Sequence, residues 1–134
     1  MAKSTIPDAL EMTRLKYAAG IPVEAKEKVA AALRAAGRRP EAILLYEGSP
    51  DHPALQDDLR WAVAEGASFT LFALRRLGVP ISDEQRRACA ETAESKGRWY
   101  DAHRLYEVLG DAAALERVRA QIPSFKVAVP ENKA

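Results

Sequence analysis

The sequence contains one cysteine and two histidines. A single cysteine, Cys89, excludes a disulfide within the chain, and a metal site needs three or four converging ligands. His52 follows Asp51 and His103 stands two residues after Asp101, but no second His–carboxylate cluster is evident, so no metal and no cofactor is predicted. We expect Cys89 to be a small buried side chain. We expect His52 to be a turn residue before a helix, and His103 to lie at the surface or between helices.

Long apolar runs are also missing. No stretch reaches the ~18 apolar residues that a membrane-spanning helix requires, and residues 1–7 lack the apolar region of a signal peptide. A cytoplasmic protein without membrane attachment is therefore predicted. Twenty Lys and Arg residues nearly balance nineteen Asp and Glu residues, giving a net charge of +1. This balance provides no overall field to attract nucleic acid.

Motifs of catalysis are equally scarce. The seven glycines are dispersed, so there is no phosphate-binding loop, and no serine lies in a nucleophile-elbow sequence. Asp57 and Asp58 are adjacent, but neighbouring residues on a helix point about 100° apart and cannot easily share one proton. Their negative charge suits the first turns of a helix. The sequence thus predicts a protein that is not an enzyme.

Glycine and proline instead divide the chain into short helical segments. Each glycine stands where an apolar-periodic segment stops, and each proline stands at a segment start or in a connection. No stretch shows strand-like alternation, so an all-α protein of about eight helices in one domain is predicted. The predicted elements are end helices at 7–19 and 111–122, helix pairs at 22–47, 53–77 and 83–109, and a C-terminal tail at 123–134.

Individual segments carry more specific signals. Ser82 and Gln85 have the spacing of a capping box at a helix start, and Asp111 is a suitable N-cap for the last helix. The segment 67–77 is apolar nearly all round, so it is predicted to be the most buried helix.

One stretch occurs twice. Residues 97–107 read GRWYDAHRLYE, and residues 37–47 read GRRPEAILLYE. The two copies share Gly, Arg, an acidic residue, Ala, Leu, Tyr and Glu at matching offsets. The turn glycines Gly37, Gly66 and Gly97 are 29 and then 31 residues apart. A period near 30 in a helical chain is typical of stacked helix pairs, each of which buries one face on its neighbour.

The second copy resembles the tetratricopeptide repeat family. Gly97, Trp99, Asp101, Ala102 and Tyr106 match the turn and second helix of that family's repeat. The match is weaker in the first copy, where Arg39 replaces the turn aromatic. A third and weakest match begins at Gly66, between the other two, and has Leu71 and Arg75 at the positions of Ala and Tyr. An analogous helical array or a compact bundle is the alternative architecture.

The resemblance implies stacked antiparallel helix pairs whose first helices line a groove. Transferred by position from the turn glycines, the groove residues are Arg34, Gln56, Arg60, Arg87, Glu91 and Glu94. A mixed, arginine-containing groove suits an extended or helical peptide with acidic groups. The implied function is protein or peptide binding as an adaptor or scaffold. Trp99 is expected to be the turn aromatic, and Trp61 is a candidate exposed anchor.

Other functions remain open at this point. The pairs Arg38–Arg39, Arg75–Arg76 and Arg86–Arg87 offer an alternative as nucleic-acid contacts, although the balanced net charge makes such binding a minor expectation. Three repeat units are about the minimum for a stable array, so an edge-to-edge homodimer is compatible with this length.

Overall fold

The computed structural model describes residues 8–17 and 23–123. These residues form eight α-helices and no β-strand. The helices are α1 (Ala9–Tyr17), α2 (Val23–Ala35), α3 (Arg39–Leu44), α4 (Pro53–Glu65), α5 (Ser68–Leu77), α6 (Asp83–Ser95), α7 (Trp99–Leu109) and α8 (Ala112–Arg119). The predicted ends of the first helix at 7 and 18–19, the predicted start of the second at 22, and the tail beyond 123 lie outside the described residues.

The helix starts follow from local sequence chemistry. The predicted capping box at α6 is confirmed, because the Gln85 amide donates to the Ser82 hydroxyl at 3.1 Å and the Ser82 amide donates to the Gln85 side chain at 2.9 Å. Asp111 caps α8 by accepting from the Ala114 amide at 3.1 Å. These side chains satisfy amide donors that have no partner within the helix.

The helix ends follow the same logic. At Gly37 and Gly97 the backbone has φ of 76° and 74°, and both glycines end a helix in the same way. The amide after each glycine donates to a carbonyl five residues back, from Arg38 to Leu33 and from Arg98 to Ala93, both at 2.8 Å. This Schellman arrangement requires the left-handed conformation that glycine adopts without strain.

The described residues divide into two compact units. The first contains those up to Asp58 together with Phe72–Val79, and the second contains Leu59–Leu71 together with those from Pro80 onward, so α4 and α5 contribute to both. In the first unit α2 packs against α3. In the second unit α7 packs against both α6 and α8.

The two copies of the repeated stretch, each taken with the helix before it, share five buried positions. Ala30, Leu33, Ala42, Leu45 and Tyr46 are buried in the first unit, and Ala90, Ala93, Ala102, Leu105 and Tyr106 are buried in the second. Each residue of the first set lies 60 positions before its counterpart in the second. The repeat read from the sequence is therefore a repeat of packing, with alanines where helices approach closely and tyrosines in the core.

The structure corrects one predicted helix end and bears out the predicted burial of α5. The third helix ends at Leu44 rather than at residue 47, because the amides of residues 45–47 each donate to a carbonyl three residues back and form a tighter turn. As predicted, α5 is the most buried of the described helices, with Ser68, Thr70, Leu71, Ala73 and Leu74 buried, although Phe69 keeps 63% of its surface exposed. None of the described helices is long and apolar enough to cross a membrane.

Candidate functional site

The six predicted groove residues fall into two groups. Arg34 and Gln56 belong to the first unit, and the other four belong to the second. Gln56, Arg60, Arg87 and Glu91 are exposed, whereas Arg34 and Glu94 are partly buried. Arg34, Arg87 and Glu94 are each held in an ion pair to a residue 23 or 24 positions further along the chain.

In the first unit a buried carboxylate is held between two arginines. Asp58, on α4, has no exposed surface. Arg34 on α2 donates to it from Nε at 2.9 Å and from Nη2 at 2.7 Å. Arg39, at the start of α3, donates from Nη1 at 2.7 Å. Hydrogen bonding to Asp58 raises the pKa of Arg34 above its usual range. Asp58 therefore joins three helices.

Aromatic and polar side chains extend this cluster. The Arg34 guanidinium lies 5.7 Å from the centre of the Tyr46 ring, which in turn lies 4.5 Å from the His52 ring. His52 Nδ1 accepts from the Ala54 amide at 3.1 Å, so His52 caps α4. Its Nε2 lies 3.1 Å from Glu27 on α2. Since Nδ1 accepts, the neutral ring carries its proton on Nε2 and donates it to Glu27.

In the second unit ion pairs join α6 to α8 near the surface. Arg87 donates to Asp111 at 3.0 Å, and the two side chains are 47% and 29% exposed. The Ala114 amide and then Arg87 lower the pKa of Asp111. Glu91 lies one turn after Arg87 on α6 and is exposed, and its side chain has no hydrogen bond or ion pair with any part of the chain that the structure describes.

A second bridge between these helices involves Glu94. Arg117 donates to its carboxylate from Nε at 2.5 Å and from Nη2 at 2.9 Å, and the Tyr106 hydroxyl donates at 2.9 Å. The hydrogen bonds from Arg117 lower the pKa of Glu94. The Arg117 guanidinium also lies 5.9 Å from the centre of the Tyr106 ring.

Each unit has an ion pair at the equivalent repeat position, but the acidic and basic partners are exchanged between the two units. Glu94 lies 60 residues after Arg34, and each pairs with a residue on a later helix, 24 positions on for Arg34 and 23 for Glu94. A buried tyrosine stands beside each pair. The repeat thus places an ion pair at this position without determining which helix carries the positive charge.

Several of the paired arginines are neutralised within the chain. Arg38 binds Glu41 through two hydrogen bonds, Arg39 binds Asp58, and Arg86 binds Asp83 at 2.8 Å. Arg75 and Arg76 are exposed at the end of α5. The adjacent arginines of the first and third pairs are therefore engaged with carboxylates rather than forming a joint cationic patch.

The connection between α4 and α5 is fastened by α7. Asp101 accepts from the Ser68 amide at 3.0 Å and from the Ser68 hydroxyl at 2.5 Å, so it caps the start of α5. Arg98 donates to the Glu65 carbonyl at the end of α4, at 3.0 Å. Between them Gly66 has φ of 70°, and a Cβ built there would stand 2.6 Å from the Ala93 backbone. The connection is thus held at both helix ends.

Two exposed aromatic residues flank this fastened connection. Phe69 follows Ser68 on α5, and Tyr100 precedes Asp101 on α7, and each keeps 63% of its surface exposed. Val108, further along α7, is 54% exposed, and the predicted anchor Trp61 is 37% exposed. Phe69 and Tyr100 were not among the predicted binding residues. Their common place three residues after Gly66 and Gly97 was the sequence signal that could have identified them.

The only cysteine has a structural rather than a reactive environment. Cys89 is fully buried, as predicted, and its thiol donates to the Ala62 carbonyl at 3.4 Å. Burial raises its pKa to about 12, which keeps it in the poorly nucleophilic thiol form. Within the described ranges, no three His, Cys, Asp or Glu side chains are grouped so that they could hold a metal ion.

No protein-family model matches the sequence, and comparisons with curated proteins and with solved structures find no match. The function is therefore inferred from the surfaces described above.

Proposed function

We propose that this chain is a non-enzymatic helical-repeat protein that binds another protein or a peptide through the charged face of α6 and α8. The observation that carries the proposal is the pair of surface bridges, Arg87–Asp111 and Arg117–Glu94, whose arginine side chains are 47% and 56% exposed. The proposal includes a tetratricopeptide-like stacking of helix pairs, which the matched burial in the two repeat copies supports.

The Arg87–Asp111 pair is suited to exchange with a ligand carboxylate. A solvent-exposed ion pair typically stabilises a fold by about 0–1 kcal/mol, so replacing it costs little. Asp111 also accepts from the Ala114 amide and keeps that hydrogen bond when Arg87 turns away. An incoming carboxylate can then take both donors of the guanidinium fork. This exchange favours a partner that carries acidic groups.

Glu91 gives the same face an acceptor. It lies one turn after Arg87, is exposed, and has no partner among the described residues. A backbone amide or a basic side chain of the bound segment would satisfy it. Binding at Arg87 and Glu91 together would require the partner to present both an acidic and a donor group at a fixed spacing, which is a source of specificity.

Nucleic-acid binding is the weaker alternative. Asp83 and Asp111 already hold Arg86 and Arg87, and the net charge is +1. Affinity for duplexes derives largely from unpaired cations that neutralise phosphates. Retention on a heparin column at low salt, lost in Arg87→Glu, would favour the alternative over peptide binding.

The proposal is tested by selecting peptides from a random displayed library and measuring their affinity by fluorescence anisotropy. We expect the selected peptides to be rich in Asp or Glu, and Arg87→Glu to weaken their binding by about tenfold or more. Lys28→Glu is the matched control, because Lys28 is an exposed helical residue without a partner among the described residues. Equal loss in both variants, or selection of no specific peptide, would contradict the proposal.

A further inference from the structure

We propose that Phe69 and Tyr100, together with Arg104 and Val108, form a second docking surface that binds an amphipathic helix with an acidic residue beside its apolar side. This set of four residues is called the aromatic edge. It is separate from the α6–α8 face proposed above and shares no residue with it. All four lie in the second unit.

The two aromatic residues occupy equivalent places in the repeat. Phe69 stands three residues after Gly66, and Tyr100 stands three residues after Gly97. The Ser68–Asp101 hydrogen bonds join the first turns of α5 and α7, and Phe69 and Tyr100 are the chain neighbours of the two bonded residues. Each ring is 63% exposed. Two large aromatics with most of their surface in water, on helices joined at their first turns, offer exposed apolar area to a partner.

Packing does not require these rings. In the first copy the place of Tyr100 is taken by Pro40, while Ala42, Leu45 and Tyr46 are buried like their counterparts in the second copy. The repeat therefore folds with or without an aromatic residue there. Exposed aromatics that the core does not use are typical of binding anchors, because they supply large contact areas with few rotatable bonds.

The neighbouring residues of α7 define the chemistry of the partner. Tyr100, Arg104 and Val108 follow one another at four-residue intervals and so lie along one side of the helix. All three are exposed, and the Arg104 guanidinium has no hydrogen bond or ion pair with the residues that the structure describes. An apolar stripe with an available guanidinium is complementary to an apolar helix side flanked by a carboxylate.

The surface is also held in place before binding. Asp101 caps α5 through Ser68, and Arg98 binds the end of α4, so the helices that carry Phe69 and Tyr100 are fastened to each other. Rigid anchors lose less conformational freedom on binding than mobile ones. The fastened junction is thus suited to a helix, which presents its side chains at fixed intervals.

Two synthetic helical peptides test this inference on the 134-residue chain. Each has apolar residues at i, i+3, i+4 and i+7, and they differ only in carrying Glu or Lys beside the apolar side. Titration calorimetry measures the affinities, and amide chemical shifts locate the binding. We expect the Glu peptide to bind about two- to fivefold more tightly than the Lys peptide. Arg104→Glu should reverse that order.

Variants of the aromatic residues distinguish the aromatic edge from the α6–α8 face. Phe69→Ser and Tyr100→Ser should each weaken both peptides by at least about tenfold, with an unchanged melting temperature because both side chains are exposed. Leu10→Ser, which changes another exposed apolar residue, and Arg87→Glu should leave peptide binding unchanged. If Arg87→Glu alone abolishes it, the peptides bind the α6–α8 face and the aromatic edge is not a docking site.

A second copy of the chain is the competing occupant. Sedimentation of the wild-type chain over a range of concentrations tests it. Self-association that disappears in the Phe69→Ser, Tyr100→Ser double variant would overturn the assignment to a partner helix. Binding of library-selected acidic peptides at Arg87, without binding of either helical peptide, would overturn this inference and leave the proposed function intact.

Discussion

Asp58 is completely buried, and Arg34 holds it through two parallel hydrogen bonds of 2.9 and 2.7 Å. The carboxylate comes from α4 and the guanidinium comes from α2, so the pair connects residues that are 24 positions apart in the chain. Arg39 adds a third hydrogen bond. A buried carboxylate is tolerated only when such donors replace its lost water.

Replacing Asp58 by Ala should destabilise the fold by about 3–5 kcal/mol, because two partly buried arginines would lose their shared counter-charge. The side chains of both arginines are only 20% exposed. Chemical denaturation gives the free energy of unfolding. The neighbouring Asp57→Ala is the control and should cost no more than about 1 kcal/mol, because Asp57 is exposed. Equal effects of the two variants would show that Asp58 is not a buried structural charge.

The glycines at two helix ends should respond differently to alanine. Gly37→Ala is expected to cost about 1–2 kcal/mol, since φ is 76° and the space around a new Cβ is open. Gly66→Ala should cost about 1–3 kcal/mol more, because its Cβ would stand 2.6 Å from the Ala93 backbone. Thermal and urea unfolding of the two variants measures the difference. Equal losses would mean that α6 does not approach this connection closely.

Asp101→Ala should destabilise the second unit more than Ser68→Ala does. The aspartate change removes the acceptor for the Ser68 amide and leaves a buried hydroxyl unpaired, at a cost of about 1–3 kcal/mol. Ser68→Ala keeps the hydrogen bond from the backbone amide of residue 68 to the Asp101 carboxylate. A double-mutant cycle measures the coupling of the two side chains. Additive effects would place them out of contact.

Cys89 should resist thiol reagents in the native protein. At pH 8 the raised pKa of about 12 leaves almost no thiolate, and the side chain is buried. Labelling by a chromogenic disulfide reagent should therefore proceed only through unfolding and accelerate with urea. Native-state labelling at the rate of a small free thiol would contradict this prediction.

The same group gives a pH dependence with a defined sign. Folding raises the pKa of Cys89 from 9.0 to about 12, and burial raises that of Tyr106 from 10.0 to about 12. Because the folded state favours the protonated form of both groups, each contributes to the free energy of unfolding in full below its ordinary pKa. This contribution to stability is lost as the pH rises toward 12. Urea midpoints between pH 8 and 11 should therefore decline. Cys89→Ala should make the decline shallower, and an unchanged slope would count against the buried thiol.

Local features of this protein were readable from the chain. Ser82 and Gln85 cap α6 as their spacing predicted, and glycines such as Gly37 and Gly97 end helices in the left-handed conformation. Both depend on neighbours within a few residues, so little tertiary information was required. The burial of Ala42 and Ala102 followed in the same way from the repeated pattern.

The ion pairs between distant residues could not be predicted from the sequence in this way. Arg34 and Glu94 were predicted to line a groove from their positions alone, and their use in that groove remains a prediction. Asp58 was assigned only a role at a helix start, although it lies between Leu55 and Leu59 on the apolar stripe of α4. Its position on that apolar stripe was the sequence signal that could have indicated the burial of Asp58.

The sequence by itself determined the helical class, the helix ends marked by Gly37 and Gly97, and the repeated packing positions, because propensity, capping and periodicity act over short distances. Only the tertiary structure decided that Asp58 lies inside against Arg34 and Arg39, and that Phe69 lies outside on a helix that is apolar on nearly every side. Burial depends on what stands opposite a residue in space. Residues distant along the chain provide that surface, and no local pattern specifies it.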